Sequence, residues 1–153
     1  MNELILAMGW FGIFAPVALG AIGSVMGCAI AGQSAIGAMM EAESGYGRYI
    51  GLSVLPSTFV IYGIVLMFTL QRDITVANGG GLFAIGLLAG IALLFTGIWQ
   101  GRTAASAIVA AKEKPEIFAL SVAPSAIVEG FGVFVFIFGL VLAGTLPTQP
   151  IGA

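Results

Sequence analysis

Four long apolar stretches separated by three short polar breaks use up almost the whole chain. The stretches lie at roughly 8–39, 51–71, 80–111 and 117–146. Each is long enough to cross a bilayer, which takes about 20 residues of helix. In hydrocarbon a spanning segment must satisfy its own backbone polar groups, which favours helices. An all-α membrane protein with four transmembrane helices is predicted. The breaks run from Glu41 to Arg48, from Gln71 to Gly79 and from Lys112 to Glu116, too short for further domains.

Composition excludes the alternatives. Of 153 residues 59% are hydrophobic and 8% charged, too little charge to cover a water-facing surface. Lipid is therefore the main solvent. With Cys28 alone and no histidine, neither a zinc cluster, an internal disulfide nor histidine acid–base chemistry can be built. Five scattered basic residues make no patch for nucleic acid. Met1-Asn2-Glu3 lacks the positive start of a secretory signal, so the first stretch is expected to be a retained span.

Orientation follows from the basic residues of the short loops. Arg48 lies in the first break, Lys112 and Lys114 in the third, and only Arg72 in the middle one. Loops 41–50 and 112–116 are therefore expected to be cytoplasmic, with both termini on the opposite side.

The chain is also duplicated. Leu52-Ser53-Val54-Leu55-Pro56-Ser57-Thr58-Phe59-Val60 recurs as Leu120-Ser121-Val122-Ala123-Pro124-Ser125-Ala126-Ile127-Val128, matching at six of nine positions with an offset of 68. Spans 1 and 3 align at offset 69, where Gly32-Gln33-Ser34-Ala35 faces Gly101-Arg102-Thr103-Ala104. The unit is a helical hairpin repeated in the same topology, unlike an inverted repeat. Residues 1–75 form the first hairpin and 76–153 the second.

The copies differ where Ile61 corresponds to Glu129. Glu129 is 13 residues beyond Glu116, about 20 Å along a helix, with no basic residue near it in sequence. An ionisable group at that depth is costly and marks a functional site by default. In an antiparallel hairpin turning near residue 114 or 115, Gln100 and Glu129 are equally deep and can meet. Gln100 can donate to the carboxylate or offer its carbonyl oxygen to a cation. Pro56 and Pro124 free the carbonyls of Leu52 and Leu120, leaving polar groups near Ser57, Thr58 and Ser125 that can ligate a cation or simply satisfy a kink. Gly23-x-x-x-Gly27, Gly86-x-x-x-Gly90 and Gly97-x-x-x-Gly101 let the odd spans approach closely, against bulkier even spans. That asymmetry suits an inner and an outer layer of helices in a closed ring.

The doubled hairpin, the LPSTxxxYG segment from Leu55 to Gly63, GIWQGRTAASAI in span 3 and the lone Glu129 together resemble the proteolipid subunit (K or c) of V-type and archaeal-type rotary ATPases. The resemblance implies a homo-oligomeric rotor ring of about ten copies in lipid. It implies partners too: a stator subunit that presents an Arg, and a central stalk held through loops 41–50 and 112–116. ATP chemistry would lie in other subunits, which agrees with the absence of a phosphate-binding loop here. No cofactor is implied beyond the transported ion. The host membrane is expected to be a prokaryotic plasma membrane.

In sodium-carrying members of that family the ion is held by the Glu, the span-3 Gln, and a backbone carbonyl, a Thr and a Gln of span 2. Glu129, Gln100, Leu55 and Thr58 match this pattern, whereas Phe59 stands where the second Gln belongs and Gly130 where a Thr is common. Tyr62 is retained as a hydrogen-bond partner for Glu129. Losing an oxygen ligand favours protons as the cargo, with sodium at Glu129, Gln100, Thr58 and Leu55 as the alternative. Other classes fit less well. A small proton-coupled multidrug transporter carries its Glu in span 1, and a non-transporting scaffold leaves Glu129 and Gln100 unexplained.

Overall fold

The computed structural model describes residues 1–148, so 149–153 of the second hairpin lie outside the described residues. Helix α1 spans Asn2–Glu41, α2 Tyr46–Ser53, α3 Thr58–Leu70, α4 Gly79–Glu113 and α5 Phe118–Gly144. A 3₁₀ turn at Leu55–Ser57 joins α2 to α3, and another at Pro115–Ile117 precedes α5. No strand occurs among the described residues. Four helical stretches are long and apolar enough to cross a bilayer: Asn2–Glu41, Tyr46–Leu70, Gly79–Glu113 and Pro115–Gly144. The all-α, four-span architecture expected from the apolar stretches is therefore found.

Helices α1 and α4, the first and third spans, are each one continuous rod, and the two rods pack side by side through glycines. A methyl group on Gly86 would run into the backbone of Gly12, and one on Gly101 into that of Gly27. One on Gly97 would come within 2.6 Å of the Gly23 backbone. All three small-residue motifs fall on this seam, where missing side chains bring the two backbones into contact. Ser34 Oγ adds a hydrogen bond to the carbonyl of Ala105 at 3.0 Å.

The second span differs from a continuous helix over 51–71. It breaks at Pro56, which has no N–H to continue the α ladder. Ser57 N–H bonds back to Val54 in 3₁₀ fashion at 3.0 Å. The N–H of Val60 is taken by Ser24 Oγ of α1 at 3.0 Å. Pro124, at the matching place in the repeat, lies inside an unbroken α5.

Polar contacts tie the two ends of the bundle. At the end holding both basic loops, Lys112 pairs with Glu41 and Glu113. Gly45, at φ 85, is the only described residue in the left-handed region, and it turns the chain from α1 into α2. At the other end the Arg72 guanidinium donates to the carbonyls of Thr69 (3.1 Å), Ala143 (2.9 Å) and Leu146 (3.1 Å). One cation thus caps the C-terminal ends of both α3 and α5, where the helix dipoles are negative. Buried Asn78 ties the same loop to the carbonyls of Asp73 and Pro147, each at 3.0 Å. Large apolar side chains such as Trp10, Phe95, Leu120 and Phe138 point outward and are more than half exposed, as a lipid or helix-packing surface requires.

Candidate ion-binding site

The site forms where α3, α4 and α5 meet. Glu129, on α5, is partly buried, and both of its oxygens are engaged. Gln100 Nε2 donates to Oε2 at 3.0 Å, and the Tyr62 hydroxyl donates to Oε1 at 3.3 Å. Equal depth in the α4–α5 hairpin is what lets Gln100 reach the carboxylate. Tyr62 arrives from α3 because its ring stacks on Phe136 of α5, with centroids 5.0 Å apart.

Gln100 is completely buried. Its Nε2 also donates to the backbone carbonyl of Ser125 at 3.3 Å, while its Oε1 is buried with no hydrogen-bond partner. A buried amide oxygen left unpaired is an unused acceptor, available to a cation or to a proton donor.

Leu55 and Thr58 sit at the start of α3. Thr58 Oγ1 donates to the carbonyl of Leu55 at 3.2 Å, and the same carbonyl accepts the N–H of Thr58. The two groups therefore bond to each other, and neither hydrogen-bonds Glu129 or Gln100. Phe59 is fully buried. Its ring fills the space beside Gly132 and lies edge-on to Tyr62 at 5.9 Å, so the position of the absent second Gln is a wall of carbon. Gly130 faces open space. Ile61, the sequence counterpart of Glu129, is 55% exposed and turned outward. Arg102 follows Gln100 by two residues but stacks over Trp99 at 4.6 Å, away from the carboxylate.

Thr103 has no site role in the reading of the sequence, and Ser125 enters it only as a hydroxyl beside a proline kink. Ser125 Oγ donates to Thr103 Oγ1 at 2.9 Å, and Thr103 Oγ1 donates to the backbone carbonyl of Gln100 at 2.9 Å. The signal available was spacing. Ser125 lies four residues before Glu129 and Thr103 three after Gln100, each on its partner's helix face.

A carboxylate between two neutral donors, lined on one side by aromatic rings, is suited to holding one small cation or one proton.

Comparison with known proteins identifies the family. The profile of the family described as the C subunit of ATP synthase matches residues 11–70 and again 83–142. The A-type ATP synthase subunit K of Methanocaldococcus jannaschii is 35% identical over an alignment of 138 residues that covers 88% of this chain and 61% of that protein. The V-type sodium ATPase subunit K of Enterococcus hirae is 30% identical over 125 residues, 79% of this chain and 80% of that protein. The match thus spans less than two thirds of the length of the first relative. With its two tandem matches covering most of the sequence, the chain belongs to the family of ATP synthase C subunits.

Proposed function

We propose that this chain is the rotor-ring subunit of a V/A-type rotary ATPase and carries one proton per copy on Glu129. Copies close into a ring of about ten. The ring turns against a stator subunit bearing an Arg and is clamped to the central stalk through loops 41–50 and 112–116 on the cytoplasmic side of a prokaryotic plasma membrane. ATP hydrolysis or synthesis takes place in other subunits. Inside the hydrocarbon Glu129 must be neutral, because an unpaired charge there is expensive. Beside the stator Arg it ionises and releases its cargo. Each charge moved across 100 mV yields about 2.3 kcal/mol, so a ring of many copies sums several transfers per ATP.

The observation that carries the proton assignment is Phe59. Its buried ring occupies the place of an oxygen ligand, leaving Glu129 with two hydrogen-bond donors. A sodium ion needs several oxygens in place of its hydration shell. The second reading, sodium as cargo, draws on the unpaired Gln100 Oε1 and on the relative named as a sodium ATPase subunit. In that case Leu55 and Thr58 exchange their mutual hydrogen bond for the ion.

Carbodiimide labelling of Glu129 in membranes, across about pH 5 to 9 with and without sodium, separates the two. A protonated carboxyl reacts and a sodium-occupied one does not. Labelling that follows pH and ignores sodium is the expected result. Protection by millimolar sodium at neutral pH would replace the proton by sodium, and no labelling at any pH would overturn the site.

A further inference from the structure

The hydrogen bonds behind Gln100 close into a circuit across the seam between α4 and α5. Ser125 Oγ donates to Thr103 Oγ1 at 2.9 Å, and Thr103 Oγ1 donates to the Gln100 backbone carbonyl at 2.9 Å. Gln100 Nε2 returns to the Ser125 backbone carbonyl at 3.3 Å. Ser125 and Gln100 are both fully buried, so no water competes for these partners. A backbone carbonyl only accepts, and this one selects the NH₂ end of the amide. The second hydrogen on that nitrogen points to Glu129 Oε2 at 3.0 Å, and the amide's own Oε1 is left without a partner.

We propose that Thr103 and Ser125 are positioning residues that fix which end of the Gln100 amide faces Glu129. A primary amide turned over about its last bond fills nearly the same space, so packing alone does not choose between its ends. Overturned, Gln100 would set its Oε1 against the Ser125 carbonyl and against an ionised Glu129, two unfavourable oxygen pairs. Against a protonated Glu129 the overturned amide gains instead, because its oxygen accepts the carboxyl hydrogen. The hydroxyl pair keeps the Ser125 carbonyl close to Nε2 and so holds Gln100 as a donor in every charge state of the site. Without that pair the amide is free to follow the proton, and the neutral carboxyl becomes easier to form.

The proposal deepens the assignment of Glu129 as the ion carrier and rests on it for its meaning in transport. Its test reads the carboxyl directly. Carbodiimide labelling of Glu129 is timed in assembled protein at a pH well above the midpoint of the parent's labelling curve, where the rate follows the small neutral fraction. Thr103→Val, which replaces the hydroxyl by a methyl of equal size, is expected to raise the rate about threefold, the effect of one net neutral hydrogen bond. Ser125→Ala is expected to do the same, and serves where Thr103→Val does not assemble. Thr103→Ser, which keeps the hydroxyl, should restore the parent rate. In a Gln100→Leu background Thr103→Val should change nothing further, since the path through the amide is gone. An unchanged rate in both hydroxyl deletions overturns the proposal. So does a Thr103→Ser protein that behaves like Thr103→Val, or an effect that survives in Gln100→Leu. The carrier assignment fails by a different result, ion transport that persists in Glu129→Gln, so the two failures are distinguishable.

Discussion

Replacing Tyr62 by Phe deletes one oxygen and leaves the packing in place. The ring keeps its stack on Phe136 at 5.0 Å and its edge-on contact with Phe59 at 5.9 Å, so almost no apolar burial is lost. What disappears at the carboxylate is one hydrogen bond, to Glu129 Oε1, 3.3 Å long. Good O–H···O bonds are about 2.5–3.0 Å, so this one is stretched. A well-formed bond to a charged acceptor contributes about 1.5–3 kcal/mol, and a stretched one about 1 kcal/mol. Since about 1.4 kcal/mol is a factor of ten, the balance between ionised and neutral carboxyl should move about fivefold. A hydroxyl donor favours the form that accepts better, the carboxylate. Tyr62→Phe is therefore expected to speed carbodiimide labelling of Glu129 about fivefold at a pH well above the midpoint of the parent's labelling curve, where the rate follows the small neutral fraction. The assay is a time course read by mass spectrometry on the peptide carrying Glu129. An unchanged rate would refute the idea that the hydroxyl acts on the carboxylate, and a slower one would reverse its sign.

Glu129→Gln should abolish ion transport and coupled ATPase while leaving the ring assembled by native mass; a variant that still pumps removes Glu129 from the mechanism. Phe59→Gln should strengthen protection of Glu129 by sodium, at a stability cost of about 3 kcal/mol for the lost ring. Competition labelling over a sodium series measures the first effect and thermal unfolding in detergent the second; unaltered protection would show that the missing ligand is not what sets the cargo. Arg72→Ala should lower thermal stability by about 2 kcal/mol, because carbonyls of Thr69, Ala143 and Leu146 lose a charged donor. Arg72→Lys should recover only part of this, since a compact ammonium cannot reach the ends of two helices at once, and full recovery would rule out the double cap.

The parts of this molecule that were legible in its sequence are those set by the bilayer. Span lengths follow from hydrocarbon thickness, and the meeting of Gln100 with Glu129 follows from equal depth in a hairpin, a counting argument that needs no side-chain detail. The glycine motifs were legible for the same reason, because only small residues let helices touch in lipid. Side-chain direction was not legible. Pro56 and Pro124 occupy the same place in the repeat, yet only Pro56 breaks its helix. Pro56 is buried against Gly27, and Ser24 takes the N–H of Val60, so α1 holds the break open. Pro124 is exposed, with no such partner pressing on it, and α5 runs straight through. The decision belongs to a helix about 30 residues away in sequence, where no local pattern records it. Phe59 makes the same point at the site itself. Along the chain it is a missing Gln; in the fold its ring supplies the side chain that Gly132 lacks. The two residues are one packing unit, so Phe59→Gln alone restores a ligand type while opening a void in the wall. Adding Gly132→Ala to Phe59→Gln should return part of the lost stability without weakening sodium protection, which separates the missing oxygen from the missing volume.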